Sequence, residues 1–154
     1  MLAPRTILVA MDFSTASRAA LERAQDLATS FNAPLHLLHV VAEPFSESWL
    51  SYGPGAEVVE LLEAAESESR TRLASCVSDR DVASGRAIIA AVWGDPSSEI
   101  LRYALEHHVD LIVCGTHGRR GWNRALLGSV AERVVRLASC PVMTVRGSDA
   151  KAAA

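Results

Sequence analysis

Five short apolar runs, separated by segments long enough to hold a helix, constrain the fold of this chain most strongly. They cover residues 6–11, 35–41, 86–92, 110–114 and 140–146. Short, nearly continuous runs of this kind are typical of strands that helices cover on both faces, as in a parallel sheet. With strands and helices alternating along 154 residues, the chain predicts one α/β domain built as an open doubly wound parallel sheet, since a barrel needs about 250 residues.

Four helices are predicted between the five strands. Ser14 is suited to cap the first helix, and Asn32 is suited to end it in the left-handed conformation. The second helix is predicted from residue 57 to about 78. Asp95 stands before a proline and predicts the start of the third helix, which runs to about residue 107 or 108. The fourth is predicted over about 127–138.

The composition narrows the function classes. At 49% hydrophobic and 21% charged residues, the chain is expected to form one globular domain over residues 1–147, followed by a flexible tail at 148–154. No apolar run approaches the ~20 residues of a membrane span, and the chain shows no export signal, so a cytoplasmic location is predicted. A formal net charge of −3 gives no general attraction to nucleic acid or to anionic membranes.

The three cysteines show no metal-ligand spacing. Cys76, Cys114 and Cys140 are far apart in the sequence, and we expect them to be reduced and structural. Lys151, the single lysine, stands near the end of the chain, so no lysine in the body of the domain is available as a Walker-type phosphate contact.

A glycine-rich segment after the fourth strand indicates an anion-binding site. Gly115 and Gly118 are followed, after nine residues, by Gly128 and Ser129. Glycine permits a close approach of backbone to ligand or a positive φ, which suits a tight turn with exposed amides at the first pair. Gly128 and Ser129 at a helix start offer N–H groups, the positive end of the helix dipole and a hydroxyl. Together these elements predict a cradle for phosphates at the carboxyl edge of the sheet.

The motif and its surroundings resemble the universal stress protein family over nearly the whole chain. Besides the Gly-x-x-Gly, nine-residue, Gly-Ser spacing, the resemblance is carried by residues 7–14, 38–40, 128–134 and 140–142. It implies a five-stranded sheet in the order 3-2-1-4-5, a Rossmann-like fold of the adenine nucleotide alpha hydrolase type. It also implies ATP binding, since the branch of the family that retains these glycines binds ATP.

Individual residues take expected roles from the resemblance. Asp12 would contact the ribose or organise Mg²⁺ near the phosphates, and the backbone of Val40 would meet the adenine edge. The phosphates would be held by glycines, a hydroxyl and an amide, with an arginine nearby: Gly115, Gly118, Arg119, Gly128, Ser129 and Val130. The family also implies a homodimer in which the last strands, Val142 to Val145, pair antiparallel.

Several alternatives stay open at this level. Asp12 is equally suited to be no more than a cap of the first helix, and Gly128 and Ser129 to form an ordinary helix start. Arg119 and its neighbouring arginines either neutralise phosphate charge or form a solvated basic loop, and His117 is interpreted as a turn residue or a phosphate-side contact.

The resulting hypothesis is an ATP-binding regulatory module of the stress response, without a dedicated catalytic base. A slow ATPase or phosphotransferase using the same site is the alternative. The motif does not distinguish ATP from AMP or cAMP.

Overall fold

The protein, seen in a computed structural model, is described over residues 3–42, 55–116 and 127–147. The described residues form one five-stranded sheet, all parallel, in the order β3-β2-β1-β4-β5. The predicted fold class and strand order are confirmed. The strands are β1 (Ile7–Met11), β2 (Leu35–Ala42), β3 (Ala87–Gly94), β4 (Leu111–Gly115) and β5 (Val142–Val145).

Five helices lie among the described residues, one more than predicted. They are α1 (Thr15–Phe31), α2 (Ala56–Ala74), α3 (Asp79–Ala83), α4 (Pro96–Glu106) and α5 (Ser129–Leu137). The predicted end of the second helix at Ser78 is wrong, because Ser78 is the N-cap of the short α3 and accepts a hydrogen bond from the Asp81 N–H. The predicted start of the last helix at Leu127 is also early, since α5 begins at Ser129 with Gly128 as its N-cap.

The predicted helix caps are confirmed. Ser14 Oγ accepts the Ser17 N–H at 3.2 Å at the start of α1, and Asn32 ends that helix with φ 52°. Asp95 Oδ1 accepts the Ser98 N–H at 2.9 Å ahead of Pro96. Each cap satisfies amides or carbonyls that a helix terminus leaves without an internal partner.

Two hydrophobic layers cover the two faces of the sheet. One face packs against α1 and α2, with Ile7 and Val9 at its centre. The other packs against α4 and α5, with Leu8 and Ile112 at its centre. Because the winding direction reverses between β1 and β4, a crevice is expected at the carboxyl ends of these strands.

A buried histidine makes the stability of this fold depend on pH. His36 Nδ1 lies 2.9 Å from the Tyr103 hydroxyl, and the His107 ring lies 5.5 Å from the His36 ring. Burial lowers the pKa of His36 below its ordinary value, and the charge of His107 lowers the pKa further. The native state therefore binds fewer protons than the unfolded chain once the pH falls below the unfolded pKa of about 6.5.

We expect the free energy of unfolding to be fully retained above pH 6.5 and to decrease as the pH falls, by at most ~1.4 kcal/mol per pH unit from this group. Urea unfolding at pH 7.5 and at pH 5.0 measures the decrease. In His36→Gln, which keeps a polar partner for Tyr103, the decrease should be smaller. An equal decrease in both proteins would show that His36 is not its source.

Candidate functional site

A cavity of about 750 Å³ lies at the carboxyl edge of the sheet. Its floor is a row of neighbouring residues, Ala10 of β1 with its register partners Leu38 of β2 and Cys114 of β4. Pro96 and Ile100 of α4 line one side. Alanine and cysteine in the middle of the floor leave depth above the sheet, and the volume is within the range of small-molecule sites.

The structure brings together six of the eight predicted site residues. All six line this cavity: Asp12, Val40, Gly115, Gly128, Ser129 and Val130. The other two, Gly118 and Arg119, lie outside the described residues, as do His117 and the further arginines of the same segment. The cavity is therefore built by segments distant in sequence, which meet because parallel strands end at one edge.

The start of α5 opens onto the cavity. Ser129, Val130 and Ala131, the first residues of α5, line it. Helix geometry leaves the N–H groups of this first turn without an intrahelical partner, and Gly128 supplies no side chain to cap them. These amides and the positive end of the helix dipole suit an anion.

Hydrogen bonds fix this helix start to the sheet. The Gly128 N–H donates to the Thr116 carbonyl at 2.6 Å, and the Thr116 N–H donates to the Val145 carbonyl at 2.8 Å. The end of β4 is thereby joined on one side to α5 and on the other to β5. The first turn of α5 is positioned before any ligand arrives, so little ordering cost accompanies binding.

Gly115 has a different reason to be glycine from the one predicted. It is the last residue of β4 rather than part of a tight turn, and the described glycines with positive φ are Gly85 and Gly94. A Cβ at Gly115 would lie 2.8 Å from the carbonyl carbon of Ala16 and 2.9 Å from the Ser17 nitrogen. The missing side chain makes room for the first turn of α1, so the packing of that helix alone requires glycine here.

Asp12 orders the turn between β1 and α1 and also lines the cavity. Asp12 Oδ1 accepts the Ser14 N–H at 3.0 Å, while the N-cap of α1 is Ser14. The alternative that Asp12 caps α1 is therefore wrong, because Ser14 holds that position. The Asp12 carboxylate instead shapes the preceding turn from a position at the cavity wall.

His39 lines the cavity, although it belongs to none of the predicted site residues. It is buried, and its Nδ1 donates to the Met11 carbonyl at 2.6 Å, which joins the ends of β1 and β2. His39 pairs in register with Met11, the last residue of β1. Its position near the end of a predicted strand was the sequence feature that could have placed it at the cavity.

The thiol of Cys114 is not a nucleophile at neutral pH. Burial raises the pKa of this thiol to about 11, which keeps it protonated. Cys114 is buried, as expected of a structural cysteine. Among the residues that the structure describes, no group of three His, Cys, Asp or Glu side chains is placed to hold a metal ion.

Within the described ranges, no helix combines the length and the apolar character that a membrane crossing requires.

Comparison with known proteins gives a consistent result. The model of the Universal stress protein family matches residues 4–146. The universal stress protein YxiE of Bacillus subtilis is 34% identical over 144 residues, which are 91% of this chain and 97% of the relative.

Among solved structures, the universal stress protein UspA from Lactobacillus plantarum is similar with a TM-score of 0.72 and 28% identity, covering 95% of this chain and 100% of the other. A universal stress protein in complex with cAMP is similar with a TM-score of 0.61 and 25% identity, covering 96% and 100%.

Proposed function

Since the chain belongs to the universal stress protein family, we propose that it is a regulatory module that binds ATP in the cavity at the carboxyl edge of the sheet. The observation that carries the proposal is the first turn of α5, which has no side-chain cap at Gly128 in the described part of the chain and opens into a cavity of about 750 Å³. A phosphate chain there would accept hydrogen bonds from the Ser129 and Val130 amides. Gly118 and Arg119 are proposed as further phosphate contacts, on sequence spacing alone.

The rest of the cavity suits a nucleoside. Apolar side chains of the floor and of α4 offer a surface for a flat base, and the backbone of Val40 stands at the cavity wall for its polar edge. Asp12 is placed for a ribose hydroxyl or for Mg²⁺, which typically binds one or two carboxylates together with substrate phosphates.

The related structure solved with cAMP supports an adenine nucleotide as the ligand class. The uncapped helix start and the proposed arginine contact favour ATP over cAMP, because ATP carries more negative charge. Nucleotide occupancy would then change which partners the protein binds during the stress response.

The described residues that line the cavity favour ATP binding without ATP hydrolysis. Its titratable side chains are Asp12, His39 and Cys114. The Asp12 carboxylate accepts a backbone amide, His39 Nδ1 is bonded to a backbone carbonyl, and the raised pKa keeps the Cys114 thiol protonated. Phosphoryl transfer needs a group that orients the nucleophile and charge that stabilises the transferring group. The roles proposed for these side chains are different: Asp12 contacts ribose or Mg²⁺, and His39 joins β1 to β2.

Calorimetric titration with ATP and Mg²⁺, followed by a phosphate-release assay, tests this directly. We expect one ATP per chain with a micromolar Kd, weaker binding of cAMP, and no sustained phosphate release. Sustained release that is lost in Asp12→Ala would instead establish the slow ATPase.

We also propose a homodimer through β5, and the two edges of the sheet support this choice. At the β3 edge, Arg70 Nη2 donates to the Ala91 carbonyl at 3.0 Å. The Arg70 side chain therefore occupies a hydrogen-bond acceptor on the outer edge of β3. At the β5 edge, Met143 is 37% exposed. An uncovered apolar edge strand is a site for pairing with a second chain.

Thr144→Pro is expected to convert the dimer to a monomer. The Pro141 carbonyl accepts the Ile112 N–H of β4, and the Val145 carbonyl accepts the N–H of Thr116, the residue after β4. The alternation of the strand therefore directs the Thr144 N–H to the outer edge. Proline removes that donor and leaves the ladder with β4 intact. Light scattering after gel filtration measures the mass, with Thr144→Val as the control that keeps the donor. An unchanged mass for Thr144→Pro, or a monomeric wild type, would exclude this interface.

A further inference from the structure

The turn that carries Asp12 holds a bulky residue in an unfavourable backbone conformation. Phe13 has φ 64°, the left-handed region that β-carbon-bearing residues seldom adopt. Such a conformation persists only where surrounding contacts enforce it. Phe13 stands between Asp12, whose carboxylate lines the cavity, and Ser14, which caps α1.

Two contacts hold the Phe13 ring from outside its own turn. The His39 ring lies 4.8 Å from it, centroid to centroid, and the Arg72 guanidinium carbon lies 3.8 Å from the ring centroid. Arg72 is in the last turn of α2, so its cation–π contact joins α2 to the turn between β1 and α1. The ring also packs against the core shared by α1 and α2.

We propose that Arg72 is a positioning residue of the nucleotide site, acting through Phe13 to hold the Asp12 carboxylate toward the cavity. This inference rests on the proposed function. Neither Arg72 nor Phe13 is among the described residues that line the cavity, so both act on a ligand indirectly. The guanidinium presses the ring into place, the ring keeps residue 13 left-handed, and Asp12 Oδ1 stays within 3.0 Å of the Ser14 amide.

Through the contact between Arg72 and Phe13, α2 influences the nucleotide site although it does not contact the ligand. Movement of α2 away from the sheet would release the Phe13 ring and let residue 13 relax to negative φ. The Asp12 carboxylate would then leave the position that its bond to Ser14 defines.

Arg72→Met tests the proposal, because methionine keeps an unbranched stem and removes the cation. Arg70→Met is the matched control, since it removes the same charge from the same helix and its guanidinium contacts the Ala91 carbonyl instead of Phe13. Two quantities are measured in each variant, the ATP dissociation constant and the exchange rate of the Ser14 amide by NMR without nucleotide.

Because Arg72 is exposed, we expect Arg72→Met to weaken ATP binding about two- to fivefold and to speed Ser14 exchange by a similar factor, with Arg72→Lys intermediate and Arg70→Met unchanged. In an Asp12→Ala background, Arg72→Met should add nothing to the loss of affinity. That non-additivity distinguishes positioning of Asp12 from a general loss of stability.

Equal effects of Arg72→Met and Arg70→Met, or unchanged Ser14 exchange in Arg72→Met, would overturn the proposal while leaving ATP binding by the wild type intact. Wild-type protein that takes up no ATP would instead overturn the proposed function, and with it the role of Arg72 in binding. The two failures are therefore distinguishable.

Discussion

Gly115→Val is expected to lower the free energy of unfolding by about 3 kcal/mol. The added Cβ would meet the backbone of Ala16 at 2.8 Å and of Ser17 at 2.9 Å, and valine adds two methyl groups beyond it. Backbone atoms at the start of a helix cannot rotate away as a flexible side chain can. Either α1 moves off the sheet or β4 leaves its register, and both disturb the buried core around Val9 and Val113.

Urea unfolding of Gly115→Val and Gly55→Val measures this effect. Gly55 is a suitable control because its φ is −62° and a Cβ there would meet no atom of the described residues within 4 Å. We expect the control to lose less than about 1 kcal/mol, the scale of an altered N-cap. Equal stability of Gly115→Val and wild type would show that α1 does not need this close approach.

Gly128→Val is expected to weaken ATP binding about a hundredfold while the domain stays folded. Gly128 is the N-cap of α5 with φ −60°, a conformation that valine adopts without strain. Its side chain would stand at the cavity wall, where phosphates are proposed to approach the Ser129 and Val130 amides. Loss of two charge-assisted hydrogen bonds, each contributing ~1.5–3 kcal/mol, accounts for at least that factor.

Gly55→Val serves as the control here too, since both glycines are helix N-caps without a side-chain cap bond. Their dihedral angles are also nearly equal, with ψ 158° at Gly55 and 148° at Gly128. The control should bind ATP as the wild type does. Calorimetric titration gives both constants. Wild-type affinity in Gly128→Val would exclude the start of α5 as the phosphate site.

The local features of the fold were predictable because they depend on neighbours in sequence. Caps at Ser14, Asn32 and Asp95 each involve a turn of a few residues, and their residue types report directly on that geometry. The short α3 was missed because five residues are too few to show helical periodicity. Its only local sign is Ser78 as an N-cap, which sequence reasoning assigned to the end of the preceding helix.

The reason for Gly115 could not be read from the sequence, because the group that requires it, the backbone at Ala16, belongs to a helix from the other end of the chain. A glycine after a strand predicts that another group approaches the backbone closely, but it does not identify that group. The contact of Arg72 with Phe13 is equally non-local, and neither residue carries a motif. The convergence of Asp12 and Val40 was predictable from the strand order that the family resemblance implies, and the place of Gly128 was predictable from the glycine motif.

A crystal structure of the protein grown with ATP and Mg²⁺ in excess would test the central claim most directly. We expect electron density for the triphosphate within hydrogen-bond distance of the Ser129 and Val130 amides, with the adenine above Ala10 and Cys114 and against Val40. An empty cavity at saturating ATP, or a nucleotide bound elsewhere on the molecule, would contradict the claim that the start of α5 is built to hold phosphate.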